Sequence, residues 1–285
     1  MAFVKIGIIK DDIGYGRWGE LSYKKLKEHG FSCADYQMSD TNGRIYNAPE
    51  NEVENELRHE RKLAEEAGVK IWQVHGPWVW PIPETIVENR KKHFENLKKS
   101  IRYTSLLGCE NWVIHPLMPY GREDSEHSEE TWKMNVEWFG ELAKFAKEFG
   151  VTICVENLPF KDFSISKPSD ILRLVKAIND DNFKACLDIG HVGYFEGMSA
   201  GDAVRLLGKE LKTLHVHDTR PGMDIHLMPY FGIIDWSDFI LALKEIEFDG
   251  VFSLETPPRR NLDTPIFEII SKSLAEIAEE MSKNI

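Results

Sequence analysis

Phe183-Lys184-Ala185-Cys186-Leu187-Asp188-Ile189-Gly190-His191 is a short apolar run that stops on a carboxylate, then turns through a glycine to a histidine. Its length and apolar content suit a buried strand, whose last residue faces the loop side of a sheet. Five further runs end in the same manner: Val69–His75, Asn111–His115, Val151–Glu156, Leu211–His215 and Gly250–Glu255. Together they deliver His75, His115, Glu156, Asp188, His215 and Glu255 to six strand ends. All six side chains can bind a metal. If the strands close into a barrel, their ends converge on one face, and that face is where barrel enzymes carry their chemistry.

On either side of this run, β-rich runs near 3–9, 31–36, 69–75, 111–115, 151–156, 183–188, 211–217 and 250–255 alternate with segments of helical period. The helical segments lie near 17–29, 50–67, 84–107, 128–149, 168–179, 200–208, 236–247 and 264–282. In the fourth of these, Trp132, Val136, Phe139, Leu142, Phe145 and Phe149 recur three or four apart and predict a single apolar stripe. Gly30, Gly68, Gly108 and Gly150 mark the turns from helix to strand. Ser169-Asp170 after Pro168, and Asp235 before Trp236, read as helix starts. Eight such units predict an α/β protein, a single (β/α)8 TIM barrel occupying residues 1–285 as one domain.

The chain has 285 residues, 42% of them hydrophobic, which is enough for a sizeable core. Its 35 basic against 47 acidic residues give a formal charge of −12. An acidic surface repels phosphate backbones, so non-specific nucleic-acid binding is not favoured. Cys33, Cys109, Cys154 and Cys186 show no C-x-x-C spacing and lie in or beside apolar runs, as buried reduced thiols do. No apolar stretch reaches the roughly 18 residues a membrane span requires. Met1-Ala2-Phe3-Val4-Lys5 enters a strand directly, without a signal-peptide layout. The expectation is a soluble cytoplasmic protein, with homo-oligomerisation left open.

One histidine at one strand end is more often a hydrogen-bonded structural residue than a ligand. Six ligand-type residues at six strand ends predict a metal site. Its mixture of carboxylates and imidazoles suits Mn2+, Mg2+, Co2+ or Zn2+, and the absence of cysteine from the pattern excludes a structural zinc finger. Further candidates follow. His191 lies three residues beyond Asp188, as a ligand or a contact to a bound hydroxyl. Asp224 and His226 form an Asp-x-His pair in the long loop after the seventh strand, where the plain alternative is a solvated loop. His217 falls on the same side of its strand as His215 and reads as a ligand's partner or a substrate contact. His29, His59, His93 and His127 fall in helical or polar surface segments and carry no signal.

Several strings resemble a known family: Val74-His75-Gly76-Pro77, Ile114-His115-Pro116, Val155-Glu156-Asn157 and Leu187-Asp188-Ile189-Gly190-His191. They continue in Leu214-His215-Val216-His217-Asp218, Gly232-Ile233-Ile234-Asp235-Trp236 and Ser253-Leu254-Glu255. In this order they resemble the xylose isomerase-like TIM-barrel superfamily, which unites endonuclease IV with sugar isomerases and epimerases of the tagatose 3-epimerase type. The resemblance implies that Glu156, Asp188, His215 and Glu255 hold one divalent ion in an epimerase, with His191 touching substrate. In an endonuclease IV-like protein it implies three zinc ions held by those residues with His75, His115, His191, Asp224 and His226.

Three functions follow as expectations. The first is a divalent-metal-dependent isomerase or epimerase of a sugar or sugar phosphate. It would act by proton transfer through a metal-stabilised enediolate, with Glu156 and Glu255 as acid–base pair. His191, His217, Trp78 and Arg220 would contact the substrate. Trp80, Phe160, Phe163, Tyr194 and Phe231 would join Trp78 in lining the pocket, and Lys161, Arg220, Arg259 and Arg260 are candidates for a phosphate. The second is an endonuclease IV-like zinc phosphodiesterase acting on abasic DNA. Its nine ligand positions are all filled, but Gly76–Pro83 and Pro116–Tyr120 are apolar and Pro-rich rather than basic, and His115-Pro116-Leu117 departs from the His-Pro-Gly usual in that enzyme. The third is a non-catalytic binder, which has no need of both Glu156 and Glu255.

Overall fold

The computed structural model describes residues 4–10, 17–79, 82–256, 258 and 261–285. Eight parallel strands make the sheet: β1 (Lys5–Ile9), β2 (Cys33–Gln37), β3 (Lys70–His75), β4 (Asn111–Ile114), β5 (Thr152–Glu156), β6 (Phe183–Asp188), β7 (Leu211–His215) and, last in the chain, β10 (Val251–Leu254). Each pairs with its sequence neighbour and β10 pairs with β1, in the order β10-β1-β2-β3-β4-β5-β6-β7. The ring closes between β10 and β7 through Val216. Its amide donates to the Ser253 carbonyl at 2.8 Å, and its carbonyl accepts from the Glu255 amide at 3.0 Å. The protein is a TIM barrel, as the alternation of runs predicted.

Eight longer helices alternate with the strands among the described residues. They are α1 (Ser22–His29), α2 (Glu50–Ala67), α3 (Val87–Leu106), α4 (Ser128–Lys147), α5 (Pro168–Ile178), α6 (Ala200–Leu207), α7 (Trp236–Glu245) and α8 (Thr264–Ser282). Gly30 and Gly68 close α1 and α2 in the left-handed region, at φ 113° and 68°. Asp235 caps α7 by accepting the Asp238 amide at 3.1 Å. Helix α5 begins at Pro168, one or two residues earlier than predicted, with Lys167 as its cap and Asp170 accepting the Lys167 amide at 3.0 Å. None of the described helices is long and apolar enough to cross a membrane.

The predicted stripe on α4 is only one edge of its buried face. Phe139 and Leu142 are deep, whereas Trp132, Val136, Phe145 and Phe149 pack partly exposed at the margin. The centre is taken by Thr131, Asn135, Ala143 and Ala146. Asn135 matters for the site, because its amide pins both the N–H and the carbonyl of Leu117 at 2.8 and 2.9 Å. The four cysteines are buried free thiols, and Cys154 and Cys186 pack with Val113 inside the barrel.

Two assignments made from sequence need correction. His29 and His93 are not surface residues. His29 is buried where α1 meets α8, with Nδ1 2.7 Å from Ser271 Oγ, and His93 is buried 3.4 Å from the Glu84 carboxylate. A polar residue at a helical register facing a neighbour is buried whatever its own preference. The segment after β7 is also not an open loop. It forms a two-stranded hairpin, β8 (Asp218–Arg220) with β9 (Met223–Leu227), that stands over the barrel mouth and carries Asp224 and His226.

Candidate active site

The ends of β3 to β7 and β10 converge. Glu156, Asp188, His215 and Glu255 each bring one ligand atom to within 4.8 Å of the others. His215 Nδ1 lies 2.8 Å from Glu156 Oε1 and 3.2 Å from Glu255 Oε2. Four smaller groups overlap or adjoin this one: His75 and His115 with Glu156, Cys186 and His215 with Glu156, His191 and His217 with Asp188, and Asp224 and His226 with His217. His75 and His115 both place Nε2 3.4 Å from Glu156 Oε2. His191 Nε2 lies 3.7 Å from Asp188 and 3.5 Å from Asp224, while His226 Nε2 lies 3.2 Å from Asp224.

The imidazoles are oriented by the backbone. His75, His191, His217 and His226 each donate Nδ1–H to a main-chain carbonyl, those of Gly76, Asn157, Asp218 and Glu255, at 2.8–3.1 Å. A carbonyl only accepts, so the proton is on Nδ1 and Nε2 is turned toward the carboxylates. His215 is reversed. Its Nε2 meets Asp35 Oδ2 at 2.9 Å, leaving Nδ1 as the nitrogen that faces Glu156 and Glu255.

Several motif residues exist to allow this packing. Asn157 bridges two strand ends, accepting the Asp188 amide and donating to the Asp188 carbonyl, both at 2.9 Å. Gly190 leaves room for the His217 ring, since a Cβ there would stand 1.9 Å from His217 Cε1. Asp218 holds the later string Gly232–Trp236 in place. It accepts from the Ile234 amide at 3.2 Å and from Trp236 Nε1 at 3.1 Å, and Gly232 packs directly on it.

Burial opposes ionisation of Glu156, but His215, His115 and His75 outweigh it and hold the carboxyl well below the usual range. Burial instead dominates at Glu255 and pushes it up. His191 and His226 are lowered by burial, yet their neighbours, chiefly Asp188 and Asp224 respectively, carry them to about 9 and about 10. Three carboxylates gathered this closely fit a divalent cation by the chemistry of the set, three oxygen donors and one nitrogen. Glu156 Oε2 is buried with no hydrogen-bond partner among the described residues, as a ligand atom awaiting a cation would be.

A cavity of about 260 Å3 opens on these groups and is also lined by Trp78, Leu158, Pro159 and Phe160. Trp78 stands edge-on to the His115 ring, with centroids 4.4 Å apart. Of the other residues expected at the mouth, Phe163 and Tyr194 line a separate cavity with Lys161. Arg220 is exposed on the hairpin, and Phe231 is 68% exposed. Trp80, Arg259 and Arg260 lie outside the described residues. Sequence reasoning missed Asp35 and its partner Gln73, whose Nε2 donates to it at 2.8 Å. The signal was present, a lone carboxylate inside the apolar run Cys33–Tyr36, because a charge in a strand core needs a partner.

The family model described as xylose isomerase-like TIM barrel matches residues 23–281. A D-psicose 3-epimerase of Ruminiclostridium cellulolyticum is 27% identical over 194 residues, 66% of this chain and 64% of that protein. An inosose isomerase of Bacillus licheniformis is 26% identical over 174 residues, 59% of this chain and 61% of its own length. Each alignment thus spans less than two thirds of the relative. A crystal structure of a D-tagatose 3-epimerase-like protein superposes with a TM-score of 0.77 at 25% identity, covering 98% of both chains.

Proposed function

The chain belongs to the xylose isomerase-like TIM-barrel family, and on that footing we propose that it is a divalent-metal-dependent isomerase or epimerase of a sugar or sugar phosphate. One observation carries the reading: Glu156, Asp188, His215 and Glu255 converge on one another, and Glu156 and Glu255 face a small cavity walled by Trp78 and Phe160. The named relatives, sugar epimerases and isomerases, support the same substrate class.

Glu156, Asp188, His215 and Glu255 would hold Mn2+, Mg2+, Co2+ or Zn2+. Bound there, the ion supplies Lewis-acid polarisation of a carbonyl and its neighbouring hydroxyl, which makes the adjoining C–H acidic enough to lose a proton. The remaining work belongs to side chains. Glu156 and Glu255 reach the cavity from opposite sides of the β7 end, one to take the proton from carbon and the other to return it. His191 presents Nε2 to a substrate oxygen, its ring fixed by the Asn157 carbonyl. His217, buried against Asp188, holds that ligand in place. Trp78 and Phe160 exclude water and offer flat faces to the sugar's C–H surface.

The test is exchange with solvent. The metal-loaded protein, given ketopentoses and ketohexoses in deuterium oxide, should place deuterium beside the carbonyl. Glu156→Gln and Glu255→Gln should each lower that rate by about 10²–10⁴-fold. Failure to label any ketose, or full activity in either variant, would sink the reading.

A second reading rests on the adjoining His75–His115 and Asp224–His226 groups, which with the first four offer ligands for three zinc ions and phosphodiester cleavage at abasic DNA. About one ion per chain favours the epimerase. Close to three zinc ions, together with cleavage of abasic duplex, favours the second.

A further inference from the structure

A second cavity, of about 460 Å3, lies behind the wall formed by Pro159 and Phe160, which line both it and the smaller one. Its volume falls in the range of small-molecule sites, roughly 300–1,000 Å3. None of the metal-capable groups found among the described residues lies in it, so it is suited to recognition rather than reaction. We propose that it is a distal subsite that seats a second sugar ring, so that the preferred substrate is a ketose bearing a glycosyl group. This rests on the isomerase or epimerase reading and specifies its substrate.

The walls are already fixed. The loop after β5 is closed by the Leu158 amide donating to the Ser166 carbonyl at 2.9 Å, and by Ser166 Oγ donating to the Phe160 carbonyl at 2.6 Å. Asp124 anchors its tip by accepting the Ser164 amide at 2.5 Å. Across the cavity, the Gly222 amide at the hairpin turn donates to the Gly193 carbonyl at 3.3 Å, beside Tyr194. A cavity held in shape by backbone bonds loses little entropy when it is filled.

The lining chooses the occupant. Phe160, Phe163 and Tyr194 supply aromatic faces, with Phe160 and Phe163 edge-to-face at 5.0 Å. Such faces suit the C–H surface of a pyranose. The charged residues are Arg122, Lys161 and Asp162, all exposed at the rim. A phosphate is bound best by buried, bidentate cations, which this rim does not provide. The chemistry therefore favours a neutral ring over a phosphate ester.

Calorimetry on the metal-loaded protein tests this with three probes: a ketohexose, the same ketohexose carrying a glucosyl group on its terminal hydroxyl, and its terminal phosphate. The glucosyl compound should bind at least about tenfold tighter than the free ketose. Phe163→Ala and Tyr194→Ala should each remove most of that advantage while leaving the free ketose within about twofold, with melting temperatures showing that each variant is folded. Equal affinity for free and glucosylated ketose overturns the proposal. So does tighter binding of the phosphate that is lost in Lys161→Ala. Turnover measured in parallel separates the two readings. An affinity advantage without turnover of any ketose sinks the epimerase reading alone, and turnover without the advantage sinks the subsite alone.

Discussion

His215 Nε2 lies 2.9 Å from Asp35 Oδ2, and that contact decides which nitrogen of the ring faces the candidate ion ligands. In the metal-free protein burial works against protonation of His215. The carboxylates of Glu156, Glu255 and Asp35 outweigh it, so both ring nitrogens carry protons. When Nδ1 gives up its proton to bind a cation, the bond to Asp35 keeps the other on Nε2 and the ring in place. Asp35→Asn should therefore weaken the protein's affinity for Mn2+ by about 10–100-fold, measured by competition with a chelator. Asp35→Ala should also cost about 1–3 kcal/mol of stability, because His215 Nε2 loses its buried partner and Gln73 one of its two acceptors. Unaltered ion affinity in Asp35→Asn would show that this contact does not orient the ligand.

Gly190 and His217 are coupled through space alone. A methyl group at Gly190 would overlap the His217 ring, whose Nε2 contacts Asp188 at 3.0 Å. Gly190→Ala should destabilise the fold by about 1–3 kcal/mol in denaturant titration, and it should weaken ion binding by displacing Asp188. A variant with the parent's midpoint and ion affinity would mean that the ring moves aside without cost.

The imidazoles make ion binding depend on pH. His191 at about 9 and His226 at about 10 are protonated at neutral pH, and His215 is held well above its ordinary value of 6.5. An ion that binds His215 must displace a proton, so apparent affinity should climb by up to about tenfold per pH unit for each proton displaced. Calorimetry in buffers of different ionisation enthalpy would count those protons, and zero release would contradict the arrangement. Stability has the opposite sign. Raised histidine values give stability that is fully present below about 6.5 and lost as pH passes through about 9 and about 10. The metal-free protein should lose melting temperature over that interval, and the metal-loaded protein should lose less.

Much of the site could be read from the chain because strand ends are local features. A short apolar run closing on Glu156 or Asp188 is visible without knowing its neighbours, and the glycine after α1 or α2 reports a turn that only glycine adopts easily. Asp35 was harder to see, since it sits inside β2 and its role appears only where β2 faces His215, 180 positions later. Arg220 shows the converse. Its position after β7 suggested a substrate contact, whereas the hairpin turns it into solvent.

What the sequence determined by itself was the repeating βα order and the kinds of side chain at each strand end, since periodicity and residue chemistry are carried locally along the chain. Only the tertiary structure decided the hydrogen-bonded nitrogen of each imidazole, the orphaned oxygen of Glu156, and the division of the mouth into two cavities. Those depend on carbonyls, carboxylates and aromatic rings supplied by distant segments. Their separations are set by closure of the barrel through Val216 and by the fold of the loops above it.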